Sequence, residues 1–165
     1  MIRINHNIQI FGKPEAFLDF YQNYDKHFVT LAPKNHLSFQ FLNQDHLKVG
    51  TKTISKEVLL GRRQVVKHQI TEITAAQITL KGLFPLSLIG GKLIFQLEFN
   101  DGSFQLNEIL EFGFNSFIGK LLDPFLRLYL NDKYIGLSSH SKECLMNTKY
   151  IIENSPIHVS DNTHC

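Results

Sequence analysis

FIGKLLDPFLRLYLNDKYIGLSSHSKECLMNTKYIIE, residues 117–153, is the stretch whose reading decides the fold. Apolar side chains recur in it at steps of three and four: Leu121, Leu122, Phe125, Leu128, Tyr129, Ile135, Leu145 and Ile151. That is the period of an amphipathic helix laid on an apolar surface. Asn115 or Ser116 can cap its start, and Asn154 with Pro156 can stop it. Pro124 either begins the helix proper or kinks it. Nearly everything before this run reads as strand, so one long helix must be gripped by one sheet.

Immediately upstream, GKLIFQLEF (91–99) and SFQLNEILEFGF (103–114) alternate apolar and polar residues and are joined by Asn100-Asp101-Gly102. Asp-Gly between two alternating runs is a strong hairpin signal. Further back, AQITLKGLFPLSLI (76–89), RQVVKHQITEI (63–73), LKVGTKTISKEVLL (47–60) and HLSFQFL (36–42) read as strands, with turns at Gly61-Arg62 and Asn43–Asp45. Residues 14–31 follow a helical period through Phe17, Phe20, Tyr21, Tyr24 and Phe28, and Asn23-Tyr24-Asp25 divides them into two short helices. Ile2–Phe11 alternates as a first strand, broken by Gly12-Lys13-Pro14. The order predicts an α+β fold: a curved antiparallel meander of about seven strands around a long C-terminal helix, with two short helices after the first strand.

The 165 residues suit a single domain over 1–154 with a polar C-terminal tail over 155–165. With 43% hydrophobic and 19% charged residues and a net charge of +2, the composition is that of a globular chain and gives no footing for nucleic acid. The longest apolar run, LFPLSLIGG (83–91), is too short to be a transmembrane segment. Cys144 and Cys165 make no disulfide framework, and the N-terminus lacks a secretory core, so a reducing cytoplasm is expected.

Several residues stand out chemically. Glu108 shares phase with Phe104, Leu106, Leu110 and Phe112, so it is either a buried carboxyl that is paired, protonated or functional, or is turned outward by a bulge. His140 and Glu143 share a helix face at i, i+3, as metal ligands or as a solvated face. Strand alternation puts His36 with Ser38 and Gln40, a surface histidine. Counted from a turn at Asn43–His46, His36 opposes about residue 53, and Glu57 falls about 13 Å further along. His68 reads as a diagonal neighbour of Glu57, either a base with its orienting carboxylate or a surface contact. Cys144 has no convincing base and reads as a buried, inert thiol.

The strand followed by PEAFLDFY, then LAPKNHLSF, KVGTKTISKE, the GGKLIFQLEFNDGSFQL hairpin and the closing helix together resemble the helix-grip SRPBCC superfamily, the START and polyketide-cyclase-like proteins. The resemblance covers residues 1 to about 153 and implies an internal cavity for a hydrophobic or aromatic small molecule between sheet and last helix. Phe39, Phe95, Leu97, Leu106, Phe125, Leu128 and Tyr129 are then candidate walls, with Glu108 as polar anchor. The same residues also suit plain core. A narrower similarity, to the zinc-binding diacetylphloroglucinol hydrolase-like branch, implies zinc on His36, Glu57, His140 and Glu143, and with it a metal-dependent hydrolase or lyase acting on a small aromatic or polyketide-like compound. The helix pair departs from that branch, whose spacing is four residues rather than three. Ligand-binding protein and enzyme both stay open at this point, as does a homodimer.

Overall fold

The computed structural model describes residues 2–42, 47–59, 61–114 and 117–155. Strand β1 (Ile2–Phe11) is followed by helices α1 (Glu15–Gln22) and α2 (Tyr24–Leu31). Then come β2 (His36–Phe41), β3 (Lys52–Leu59), β4 (Arg62–Thr74), β5 (Gln77–Gly82), a short 3-10 helix (Leu86–Ile89), β6 (Lys92–Asn100), β7 (Ser103–Phe112) and α3 (Phe117–Asn154). The strands form one antiparallel sheet in the order β1-β7-β6-β5-β4-β3-β2. Strands β2 to β7 are the predicted meander, and β1 closes its far side against β7. The α+β helix-grip expectation holds.

The expected caps Asn115 and Ser116, the turn at 43–46, and Pro156 with the tail beyond it lie outside the described residues. The helix does run through Asn154, whose amide donates to the Tyr150 carbonyl, while the Ser155 N–H reaches the Ile151 carbonyl. Pro124 lies inside α3, past the first turn, where its ring removes the N–H that would bond the carbonyl of residue 120. The strand expected over 76–89 ends early, at Gly82. Pro85 has no N–H to give a ladder, and the chain turns into the 3-10 helix instead. Likewise β3 begins at Lys52 rather than Leu47, because Gly50 takes a left-handed φ of 95°.

The core is built from the inward rows of the sheet, the aromatic face of α1 and the second half of α3: Ile10, Phe17, Tyr21, Ile70, Phe104 and Leu145 are all buried. In the second half of α3 the buried positions are Ser141, Cys144, Leu145, Thr148 and Ile152, a helical stripe. The first half differs. Leu126 is buried, but Leu121, Leu122, Phe125, Leu128 and Ile135 are exposed. A helix of 38 residues is about 57 Å long, whereas a ten-residue strand such as β7 spans about 33 Å. The sheet therefore grips the second half and cannot cover the whole.

Four contacts set how α3 sits. Ser138 Oγ lies 2.9 Å from His6 Nε2, Lys149 Nζ donates to the Gln9 carbonyl at 2.6 Å, and the Phe11 N–H donates to Glu153 Oε1 at 2.8 Å. Asn147 Nδ2 donates to the Leu31 carbonyl at 2.8 Å, at the end of α2.

The loop after the 3-10 helix is pinned at Gly90, whose φ is 63° and whose added Cβ would lie 2.0 Å from the Gly113 carbonyl oxygen. Gly102, in the β6–β7 turn at φ 71°, has open space instead. In urea unfolding, Gly102→Ala is expected to cost about 1 kcal/mol for the backbone conformation alone. Gly90→Ala is expected to cost well over about 2 kcal/mol, because a backbone clash is added. Equal costs would mean that the close approach to Gly113 is not rigid.

Candidate ligand cavity and histidine–cysteine cluster

The site begins with a local irregularity in β2. His36 pairs with Glu57, but Ser38 pairs with Lys56, so Leu37 is an extra residue in the ladder. Such a bulge reverses the side-chain phase on one side of it. His36 consequently joins Phe39 and Phe41 on the inner face and is only 3% exposed, while Leu37 is turned out. The expectation of a surface histidine is corrected here, and so is the 13 Å offset, because His36 and Glu57 stand directly opposite each other.

Once inside, His36 lies flat on the Phe28 ring, with centroids 3.8 Å apart, and its Nδ1–H donates to the Phe28 carbonyl at 2.6 Å. That bond leaves Nε2 carrying the lone pair, 3.1 Å from His140 Nε2 on α3. Asn35, in the α2–β2 turn, holds the other side of the His140 ring, with Nδ2 3.2 Å from Nδ1. The Cys144 sulfur completes the group, 3.7 Å from His36 Nε2 and 3.8 Å from His140 Nε2. Burial lowers the His36 pKa to about 4, against the pull of the Phe28 carbonyl, with a further lowering from His140. Desolvation also lowers His140. Both imidazoles are neutral at pH 7. Burial pushes the Cys144 thiol far up, with Glu108 and Glu57 adding to it, and the cysteine is free.

These three residues form part of the wall of a cavity of about 150 Å³ between the concave face of the sheet and α3. Phe28, Val66, Leu93, Phe95, Leu110 and Leu137 supply apolar wall, and Glu57, His68 and Glu108 supply polar groups. Glu108 is 8% exposed and accepts a hydrogen bond from Ser141 Oγ at 3.0 Å. Burial raises its pKa to about 7, with the Ser141 bond opposing the shift. Glu57 is likewise raised by burial, and it accepts from Ser55 Oγ. Desolvation lowers His68 to about 4.

The sequence-predicted residues divide accordingly. Phe95 and Glu108 line the cavity, with Glu108 in the inward phase read from the sequence. Leu97 and Leu106 are packed core. Phe39 belongs to an aromatic cluster with Tyr24, Phe28 and Phe41. Phe125 and Leu128, placed as walls by their helical phase, are 68% and 72% exposed on the part of α3 that the sheet does not reach. The Tyr129 side chain lies outside the described residues. Of the four implied zinc ligands, His36 and His140 meet, and Glu57 lines the same cavity. Glu143 stands on the exposed side of α3, and Cys144 occupies the place beside His140 instead. His68 pairs with Thr53, and Glu57 with Gln64. These two are therefore not the diagonal neighbours expected, although both face the cavity. The cysteine at 144, four residues after His140, counts in the sequence reading as a departure from the implied ligand set, yet that spacing brings both side chains to one face; Asn35 carries no signal short of the fold.

No protein-family model matches the chain, and no curated protein matches it by sequence. Solved structures match over nearly its whole length. Ara h 8.0201 superposes with a TM-score of 0.66 at 14% identity, covering 93% of this chain and 99% of the other. The major latex-like protein 151 of Panax ginseng gives 0.62 at 14%, covering 92% and 95%. Norcoclaurine synthase from Thalictrum flavum gives 0.63 at 12%, covering 93% and 87%. At such identities the likeness establishes the fold, which is the helix-grip fold of Bet v 1-like SRPBCC proteins.

A buried carboxyl with a raised pKa makes stability depend on pH. Glu108 keeps its proton in the folded chain between about pH 4.5 and 7, where the unfolded chain loses it, so its contribution falls as pH rises through that window. Glu108→Gln removes the dependence. Compared by denaturant unfolding at both ends of the window, the variant is expected to gain up to about 3 kcal/mol on the parent as pH rises. A constant difference would mean that Glu108 titrates normally.

Proposed function

We propose that the protein binds a small hydrophobic or aromatic molecule of one ring in the cavity between the concave sheet and the second half of α3. The carrying observation is an apolar-walled space of about 150 Å³ with the Glu108 carboxyl at its edge. A cavity of that size accommodates about one benzene ring. A carboxyl that stays protonated near neutral pH can donate a hydrogen bond to a polar atom of the ligand, and as carboxylate it can accept one from a hydroxyl. A phenol-like molecule suits both wall and anchor. The fold neighbours include a protein named as a synthase, so the scaffold is compatible with chemistry on a bound molecule.

The rival reading from sequence, a metal-dependent hydrolase or lyase on His36, Glu57, His140 and Glu143, loses one member of that ligand set, because Glu143 is exposed on α3. Binding is therefore the reading that we carry. A reducing compartment suits the free Cys144, and no helix among the described residues is long and apolar enough to cross a membrane.

Titration of isotope-labelled protein with phenol and benzene, followed by amide NMR, tests the proposal. Shifts are expected around Val66, Phe95, Glu108 and Leu137, saturating for phenol below benzene. Val66→Phe, which fills the space from β4, is expected to weaken binding at least about tenfold with the fold retained. Absence of saturable shifts for any one-ring compound would sink the reading. A native mass spectrum of the fresh protein would report carried ligand and subunit number together.

A further inference from the structure

We propose that His36, His140 and Cys144 form a zinc-binding site in the wall of the cavity, with the fourth coordination position open toward it. The triangle of ligand atoms carries the argument. Its sides are 3.1 Å between the two Nε2 atoms and 3.7 and 3.8 Å from Cys144 Sγ to each. Tetrahedral zinc, with bonds of about 2.0–2.1 Å to nitrogen and about 2.3 Å to sulfur, separates its ligands by about 3.4 Å for an N–N pair and about 3.6 Å for an N–S pair. The observed triangle matches both to within a few tenths of an ångström.

The surroundings suit the same role. A metal-bound histidine commonly gives its second ring N–H to a carbonyl or carboxylate, which fixes the ring and points the lone pair at the ion. His36 does this through Phe28. Asn35 stands in the equivalent place on His140. With its amide turned over, Oδ1 accepts the Nδ1–H and leaves His140 Nε2 free to ligate. Cys144 binds as thiolate, and its proton leaves to solvent. Two imidazoles and one thiolate are borderline-soft donors, which select zinc over calcium or magnesium. All three ligands come from regular elements or their ends: His36 opens β2 beyond the bulge, and His140 and Cys144 lie one turn apart on α3. The bland alternative is an apolar-packed hydrogen-bond cluster with no ion. The site stands whether or not an organic molecule occupies the cavity.

The test uses untagged full-length protein in a Cys165→Ser background, so that Cys144 is the one thiol. Titration with Zn²⁺ is expected to saturate at one ion per chain. Co²⁺ is expected to give the intense visible bands of a tetrahedral site and a near-ultraviolet thiolate-to-metal band. Cys144→Ser should abolish that ultraviolet band and weaken Zn²⁺ binding at least about 100-fold, since even indirect supporting residues are worth 10–100-fold. Glu143→Gln, which removes only an exposed charge near His140, should cost far less affinity than Cys144→Ser. Substoichiometric zinc, a Co²⁺ spectrum indifferent to Cys144→Ser, or an equal loss in Glu143→Gln would each overturn the assignment. Should Cys144→Ser fail to fold, X-ray absorption on the zinc-loaded Cys165→Ser protein decides. One sulfur at about 2.3 Å with two nitrogens at about 2.0 Å supports the site, and a shell of nitrogen and oxygen alone rejects it.

Discussion

The outer edge of β1 governs the arrangement of the molecule. This strand pairs with β7 on one side and, among the described residues, has no strand on the other, and an unpaired edge leaves N–H and C=O groups needing partners. Helix α3 answers two of them, with Glu153 on the Phe11 N–H and Lys149 on the Gln9 carbonyl. As solvent-exposed hydrogen bonds these contacts contribute little net energy. Their effect is geometric, because together with Asn147 on the Leu31 carbonyl they fix the rotation of the helix about its own axis. That rotation points Leu137, His140, Ser141 and Cys144 at the cavity and leaves Glu143 in solvent.

The face that α3 covers is unusually polar for a concave sheet interior. Thr53, Ser55, Glu57 and His68 project inward from β3 and β4, and Glu108 from β7. Thr53 Oγ1 and Tyr21 OH are buried with no protein partner among the described residues. Desolvation is the leading cause of every large pKa displacement here, and it acts in opposite senses on acids and imidazoles. The histidines favour the folded state above their ordinary pKa and withdraw that support on acidification toward pH 4, whereas the carboxyls favour it at low pH. A sheet selected for stability alone would carry aliphatic residues at these positions. Polar groups held at such cost are the ones on which the proposed recognition of a ligand rests.

Much of the fold was legible because periodicity reports it directly. Alternation found the strands, the three-and-four step found α3, and Asn23 marked the break between α1 and α2 where the helices divide. The buried phase of Glu108 was readable for the same reason. What escaped were features that depend on counting across a turn. The β3–β4 connection pairs Leu59 with Arg62, tighter than the turn read from Gly61-Arg62, and a slip of two residues moved Glu57 from Val66 to Gln64. The exposed first half of α3 shows the converse limit. Phe125 and Leu128 carry the right period, but a period states which residues share a face, and the reach of the sheet decides whether that face is covered.

Leu37 shows that the character of the cavity depends on chain length as well as on residue identity. It contributes no side chain to the interior, yet its presence as a supernumerary link sets which neighbours are inside. Excising that one link would restore strict alternation and deliver His36 to the surface with every chemical group in the protein otherwise intact. Along a lineage, the imidazole pair could therefore be gained or lost by a single indel, a route that a comparison of aligned substitutions would pass over.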